Sequence, residues 1–431
     1  MVKRGREDNR KGANGRRQPS RTGLLEFSAQ QDFRYGPNNA SPKAEQRGAG
    51  GGRFLTSAQS FANQVLVPAP QQFRIRDPDV KISCLGRSHW AQTRFSKRKV
   101  LFLLPGQALG NNVCILLFLQ AFIEQHQPRE VGVFCAQSAS DIYLQAENLT
   151  VYALWLARKD LRRWDMVVDL GHLESRRNIE FWPVDMEADL LAAFELTPCE
   201  RYAATANPIR TPGTEAGALK IGLFPLASSP LRTIPVATTL AMVTALATTY
   251  GAEAQITLCL NRNQRQGQLY RKALKDKLPV SVEIVEVFSS IGDLLAMVGN
   301  CGYIIAADSG PAHMAKLSQT PGVAVYSSAP GEVLQGRFTN LAPWTVPFAG
   351  DYCKAPCGLA GVRQTESGET GCMGSLGVGV EMLPTAPRHQ QAGAVDQLFT
   401  DPVPCIRYLA ENPGPLVTFM LEDLATRRLS V

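Results

Sequence analysis

One stretch limits the choice of fold more than any other: Tyr303 to Ser328, which reads YIIAADSGPAHMAKLSQTPGVAVYSS. Tyr303 to Ala307 is a short apolar run entered from Gly302 and ended by Asp308, as expected of a strand buried on both faces in a parallel sheet. Asp308, Ser309 and Gly310 turn the chain, and Pro311 suits the first position of a helix, where its missing N–H costs nothing. The spacing predicts a helix over PAHMAKLSQ and a further strand over Gly322 to Ser327. A strand, a glycine turn and a helix start aim backbone N–H groups and the positive end of a helix dipole at one point. An anion is the ligand such a corner favours, a diphosphate foremost. The plain alternative is an ordinary strand-to-helix turn capped by Asp308 or Ser309, with His313 a satisfied helix residue.

The same alternation recurs along the chain. Val100 to Leu104 reads as a strand, PGQALGNN as a loop and Val113 to Glu124 as an apolar helix. Further strands are expected at Glu130 to Phe134, Thr150 to Leu156 and Trp164 to Gly171. Residues 208–217 are rich in Pro, Gly and Thr and make a natural linker. Beyond it, Leu219 to Leu223 opens a second series. A helix follows from Pro235 to just before Gly251, then strands at Gln255 to Leu260 and Ser281 to Val287, and helices at Gln268 to Lys277 and Ser290 to Val298. Two βα series on either side of a linker predict an α/β chain of two facing Rossmann-like domains, residues 98–207 and 218–380, with the ligand cleft between them. Leu416 to Leu429 reads as a last helix within a tail of residues 381–431.

Charge sits unevenly on this frame. The chain of 431 residues has a net charge of +7, and residues 1–53 hold twelve Lys or Arg against five Asp or Glu, so 12 − 5 = +7 lies there. That segment is rich in Gly, Asn, Gln and Ser and is expected to be a disordered basic arm, because it cannot bury enough apolar surface to offset its ordering entropy. Contact with nucleic acid or an anionic membrane belongs to the arm, if anywhere. Residues 54–97 are expected to be an irregular extension broken by Pro68, Pro70 and Pro78. No apolar run reaches the roughly 18 residues of a membrane span, and no apolar signal core follows the basic start. The expectation is a cytoplasmic protein whose ten Cys are reduced thiols.

ADSGPAHMAKLSQTPGVAVYSSAPG resembles the diphosphate-binding signature of the ADP-heptose and lipopolysaccharide heptosyltransferases, a family of GT-B glycosyltransferases. Asp308, Ser309, Gly310 and His313 fall on positions of that signature, with Pro311 between them. DMVVDLGHLESRRN resembles the family's strand in the first domain, with Asp169, Leu170, Gly171 and Ser175 in its positions. SSPLRTIP resembles the loop in which hydroxyl groups and a cation approach the phosphates: Ser228, Ser229 and Arg232 take those places, Pro235 the proline, and Ile234 stands where an aromatic is usual. The resemblance spans about residues 98–380.

It implies a GT-B enzyme that moves a heptose or related sugar, by inversion, from an ADP-linked or other nucleotide-diphosphate donor to a lipopolysaccharide-type or other glycan acceptor. The diphosphate would be stabilised by helix ends and basic side chains, with no metal required. Relatives carry an Asp after a Gly in the first loop; here Gly110 is followed by Asn111, and an amide cannot usefully accept a proton. The base would then be His172, Asp169 or Glu174 at a strand end facing the cleft. Otherwise the protein is a catalytically impaired nucleotide-binding relative, or a polyanion-binding protein that acts through its arm. Cys353, Cys357, Cys372 and Cys405 read either as four ordinary buried thiols or as ligands of Zn or Fe, the family having a branch with Cys-bound iron. In the GT-B fold the last helix commonly crosses back to the first domain.

Overall fold

The computed structural model describes residues 83–85, 87–104, 108–146, 148–153, 156, 158–170, 185–199, 219–227, 230–261, 265–286, 290–350, 354–357, 399 and 402–429. The basic arm and the 208–217 linker lie outside them. Two parallel sheets are present. The first joins β1 (Ser83–Leu85), β2 (Lys99–Leu103), β3 (Glu130–Cys135), β4 (Leu149–Ala153) and β5 (Met166–Asp169) in the order β1-β5-β2-β3-β4. The second joins β6 (Leu219–Phe224), β7 (Ala254–Cys259), β8 (Val282–Val285), β9 (Tyr303–Ala307), β10 (Gly322–Tyr326) and β11 (Leu341–Thr345) in the order β11-β10-β9-β6-β7-β8. Numbered within its own unit the second order is 6-5-4-1-2-3, the doubly wound Rossmann arrangement, whose switch point falls between β6 and β9. In the first sheet the reversal falls between β2 and β5.

The apolar runs become central strands because both faces are covered. Tyr303, Ile304, Ile305, Ala306 and Ala307 are all fully buried. Their side chains alternate between two cores: Ile304 and Ala306 join one cluster, Tyr303, Ile305 and Ala307 the other. Gly322, opposite Ile304 in β10, leaves no room for a side chain, since a Cβ there would stand 2.0 Å from the Ile304 carbonyl oxygen. On the opposite edge of that sheet from β8, β11 contains Pro343, a residue that edge strands tolerate and that hides the strand from a sequence reading.

The helices are α1 (Leu109–His126), α2 (Gln137–Tyr143), α3 (Arg158–Leu161), α4 (Met186–Ala193), α5 (Val236–Tyr250), α6 (Arg265–Leu274), α7 (Ile291–Asn300), α8 (Gly310–Ser318), α9 (Gly331–Gln335), α10 (Pro404–Glu411) and α11 (Gly414–Leu429). Helix α1 buries ten residues, Asn112 among them, because it is covered by its own sheet, by α4 and by α8 of the other unit. One buried cluster runs across both units, from Phe102, Val113 and Leu117 to Ala312, Met314 and Tyr326.

Polar contacts border this seam. Arg337, after α9, donates to Glu187 of α4 from Nε at 3.1 Å and Nη2 at 2.9 Å. Asp185, which caps α4 by accepting from the Ala188 N–H at 3.2 Å, lies where a side chain on Gly336 would have to go; Gly336 has φ of +59°, a conformation open to glycine. Asp141 accepts from the Ile291 N–H at 3.1 Å, tying α2 to the start of α7.

Two sequence expectations need correction. Residues 54–97 are not irregular throughout: Ser83–Leu85 pairs in parallel with β5, and Trp90 and Phe95 are buried in the first core, where Trp90 stacks on Phe194 at 4.7 Å. The first unit thus includes chain that precedes residue 98. Helix α11 packs on the second unit rather than returning to the first. Leu416, Met420 and Leu424 enter the second core, and Tyr303 donates to Asp423 at 2.8 Å.

Arg337→Ala should cost about 2 kcal/mol, because it leaves the buried Glu187 carboxylate without its cation, and Arg337→Ala with Glu187→Gln should recover most of the loss. Chemical unfolding of the single and double variants checks this; equal losses in both would remove the ion pair from the account. Burial pushes the thiols of Cys135 and Cys301 up to about 12, so neither should react with iodoacetamide at pH 8 in the native protein, while both should label fully in guanidinium, as read by peptide mass mapping.

Candidate functional site

The corner singled out in the sequence forms at the switch point of the second sheet. Ser309 is the N-cap of α8 with extended backbone, and its hydroxyl donates to the Ala307 carbonyl at 3.2 Å rather than to the helix. The Ser309 carbonyl accepts from the Ala312 N–H at 3.1 Å, and Pro311 carries no N–H. The amide of Gly310 stands at the positive end of the helix, with no backbone acceptor among the described residues. Asp308 is 2 % exposed, with its own N–H given to the Val325 carbonyl at 3.1 Å. Burial first, and then the Asp308 carboxylate, push the Tyr326 hydroxyl well above its ordinary range.

Across the switch point the β6–α5 loop brings Arg232 to this turn. Its Nη1 lies 3.5 Å from Asp308 Oδ2 and donates to the Asp308 carbonyl at 3.3 Å. The loop holds its shape through three bonds. Ile234 N–H donates to the Pro225 carbonyl at 2.9 Å, Thr233 Oγ1 accepts from the Ala227 N–H at 3.2 Å, and Ser327 Oγ donates to the Leu231 carbonyl at 2.6 Å. Ile234, expected as an aromatic from the resemblance, is 1 % exposed, sits in the second core and accepts the Tyr270 hydroxyl at 2.7 Å. Its side chain serves packing. Ser228 and Ser229 lie outside the described residues.

The first unit meets the corner with the start of α1. A Cβ built on Gly110 would stand 2.4 Å from His313 Cδ2 and 2.7 Å from Nε2, and one built on Gly310 would stand 2.9 Å from Leu109 Cδ1. The imidazole therefore rests on the backbone of Gly110, and Leu109 covers the Cα of Gly310. The passage expected as a loop is already helical at Leu109, which places Asn111 in the first turn of α1 rather than in a loop. Asn112, beside it, is fully buried, donating to the Ala108 carbonyl at 2.9 Å and accepting from the Tyr143 hydroxyl at 2.6 Å. Asp169 ends β5 opposite Leu103, 2 % exposed, at the switch point of the first sheet. His172 and Glu174 lie outside the described residues.

The fold thus brings Arg232, Asp308, Ser309, Gly310, Pro311 and His313 to one corner and the Gly110–Asn111 turn against it. The contact between Gly110 and His313 escapes a sequence reading, since 203 residues separate the pair and neither one's local pattern refers to the other. Of the cysteines weighed as metal ligands, Cys353 and Cys372 lie outside the described residues. Cys357 is half-buried, and Cys405 is 7 % exposed within the apolar core formed with Ile406 and Leu409. Among the described residues no group of three or more His, Cys, Asp or Glu is placed to hold a metal ion, and no helix is long and apolar enough to cross a membrane.

No family model matches the sequence, and no curated protein sequence matches it. Solved structures similar to the chain include the Escherichia coli heptosyltransferase WaaC with ADP, at 11 % identity, a TM-score of 0.41 and coverage of 58 % of this chain and 91 % of that one. A family 9 glycosyl transferase from Veillonella parvula shares 11 % identity over 59 % of this chain and 87 % of its own, at a TM-score of 0.45. The iron-containing dodecameric glycosyltransferase TibC from enterotoxigenic E. coli shares 14 % over 74 % and 79 %, at 0.44.

Proposed function

We propose that the chain is a glycosyltransferase that binds a nucleotide-diphosphate sugar at the corner formed by Arg232 and residues 308–313, and passes the sugar to a glycan acceptor held by the first unit. One observation carries the reading: a guanidinium and the N-terminus of α8 converge at the switch point of a doubly wound sheet, with the second unit's corner facing the first unit's. Charge grows on the departing diphosphate as the glycosidic bond breaks. A fixed cation and an oriented helix end stabilise that charge without reorganising. The match of Asp308, Ser309, Gly310 and His313 to the heptosyltransferase signature supports a heptose or related sugar on ADP, and a lipopolysaccharide-type acceptor. Asp308 serves in this scheme as the counter-charge that holds Arg232, because its carboxylate is buried behind the guanidinium.

Arg232→Ala should lower kcat/KM for an ADP-linked sugar at least roughly tenfold, about 1.4 kcal/mol. ADP at about a hundred times its dissociation constant should stabilise the wild-type protein by roughly 2.7 kcal/mol, visible as a rise in Tm, and Arg232→Ala should reduce that rise. Unchanged turnover and an unchanged thermal shift in the variant would take the guanidinium out of the site. A wild-type protein whose Tm ignores every nucleotide diphosphate and its sugars would end the donor reading.

A further inference from the structure

The second unit has a charged cleft that the transferase reading leaves unused. It lies between α6 and the end of β8, with a volume of about 460 Å³ and a lining of Gln268, Arg271, Lys272, Lys275 and Glu286. Strand β8 is the edge of its sheet, three places from β9 and the Asp308 corner. Helix α6 packs Tyr270 and Leu274 into the core confined to the second unit, on the opposite face of that sheet from the seam. We propose that this cleft is a second anion site, distinct from the donor corner, for a ligand that carries phosphate groups.

Helical spacing makes the site. Gln268, Arg271, Lys272 and Lys275 succeed one another at intervals of three, one and three, which puts them on one face of α6. Lys275 keeps to that face although it follows the last residue of the helix, since its N–H donates to the Arg271 carbonyl at 3.1 Å. The other wall is Glu286, whose carboxylate pairs with Arg271. The Glu286 side chain is 15 % exposed and that of Arg271 61 %, so the anchor is set in the wall and the guanidinium reaches outward from it. Among the described residues Lys272 and Lys275 enter no ion pair.

Charge and its cost both point to a ligand. Outside residues 1–53 the chain is neutral overall, yet residues 262–277 hold six Lys or Arg and one Asp. Like charges three or four residues apart on a helix repel, so Arg271, Lys272 and Lys275 on one face work against α6 unless an anion lies among them.

A guanidinium, two ammonium groups and a carboxamide together offer the donors that the several oxygens of a phosphate accept from. A lone carboxylate would leave most of them unmet. The volume falls within the roughly 300–1,000 Å³ of small-ligand pockets, room for a phosphorylated sugar or for the phosphate headgroup of a lipid.

The test uses the full chain and lysine acetylation by acetic anhydride, read by peptide mass mapping, which reports each side chain separately from the basic arm and the donor corner. The probes are sodium pyrophosphate, glucose 1,6-bisphosphate, and phosphatidylcholine vesicles with or without phosphatidic acid. At about ten times its dissociation constant a bound anion should slow labelling of Lys272 and Lys275 about tenfold, by mass action. Lys277, exposed just beyond the cleft, should label as before. Lys275→Gln should weaken the protection of Lys272 about five- to tenfold, the share of one charged contact. Lys277→Gln removes the same charge outside the cleft and, like Arg232→Ala, should leave that protection within about twofold. Protection by the soluble probes makes the ligand a free phosphorylated molecule; protection by phosphatidic acid vesicles alone makes it a lipid headgroup. The proposal is overturned if no probe protects either lysine, or if Lys277 is protected equally, which is diffuse attraction rather than a site. Loss of protection in Arg232→Ala would also overturn it, by making the cleft part of the donor corner. No turnover enters the readout, so failure of the transferase reading leaves this result untouched.

Discussion

The apolar seam between α1 and α8 is the constraint on which the rest of the structure depends. Each helix covers its own sheet, and both also bury side chains against the other unit, so one cluster extends from Phe102 in the first sheet to Tyr326 in the second. Interfaces between domains are commonly wet and polar, and relative motion is then the default. Here the continuity of buried Val, Leu, Ala and Met side chains opposes sliding, while the Glu187–Arg337 pair and the Asp141–Ile291 bond fix the rotation about the seam. The corner at Asp308 is held facing the first unit by packing of this kind.

Electrostatics at the corner follow from the same geometry. A carboxylate as buried as that of Asp308 requires a partner, and Arg232 supplies it from across the switch point. The guanidinium is in turn limited to one place by a loop tied to the sheet through Thr233 and Ser327. Cation and helix end thus converge at one corner, Arg232 beside Asp308 and the start of α8.

The parts of the fold legible in the sequence are those set by local pattern. Tyr303 to Ala307 reads as a buried strand because five apolar residues between Gly302 and Asp308 permit little else, and the structure forms the strand over those residues. Ser290 announces its helix through a capping box with Asp293, and both halves of that box are present. Illegible parts are those decided at long range. Ser83–Leu85 is too short to signal a strand and forms only because β5 offers an open edge. Helix α11 has an apolar stripe that would suit either unit, and the Tyr303 hydroxyl, meeting Asp423 and the Met420 carbonyl, goes with the second. At the site, the turn around Asp308 was written in its own residues, whereas the approach of Gly110 to His313 is a product of the seam.

That attachment of α11 has a mechanical side. Tyr303 opens the strand that Asp308 follows, so the phenol gripping the final helix and the carboxylate facing Arg232 sit at opposite ends of one rod of roughly 17 Å. That strand is paired on both flanks, with β6 and with β10. Strain applied to residues 414–429 would bear first on Tyr303, and through it on the strand that leads to Asp308.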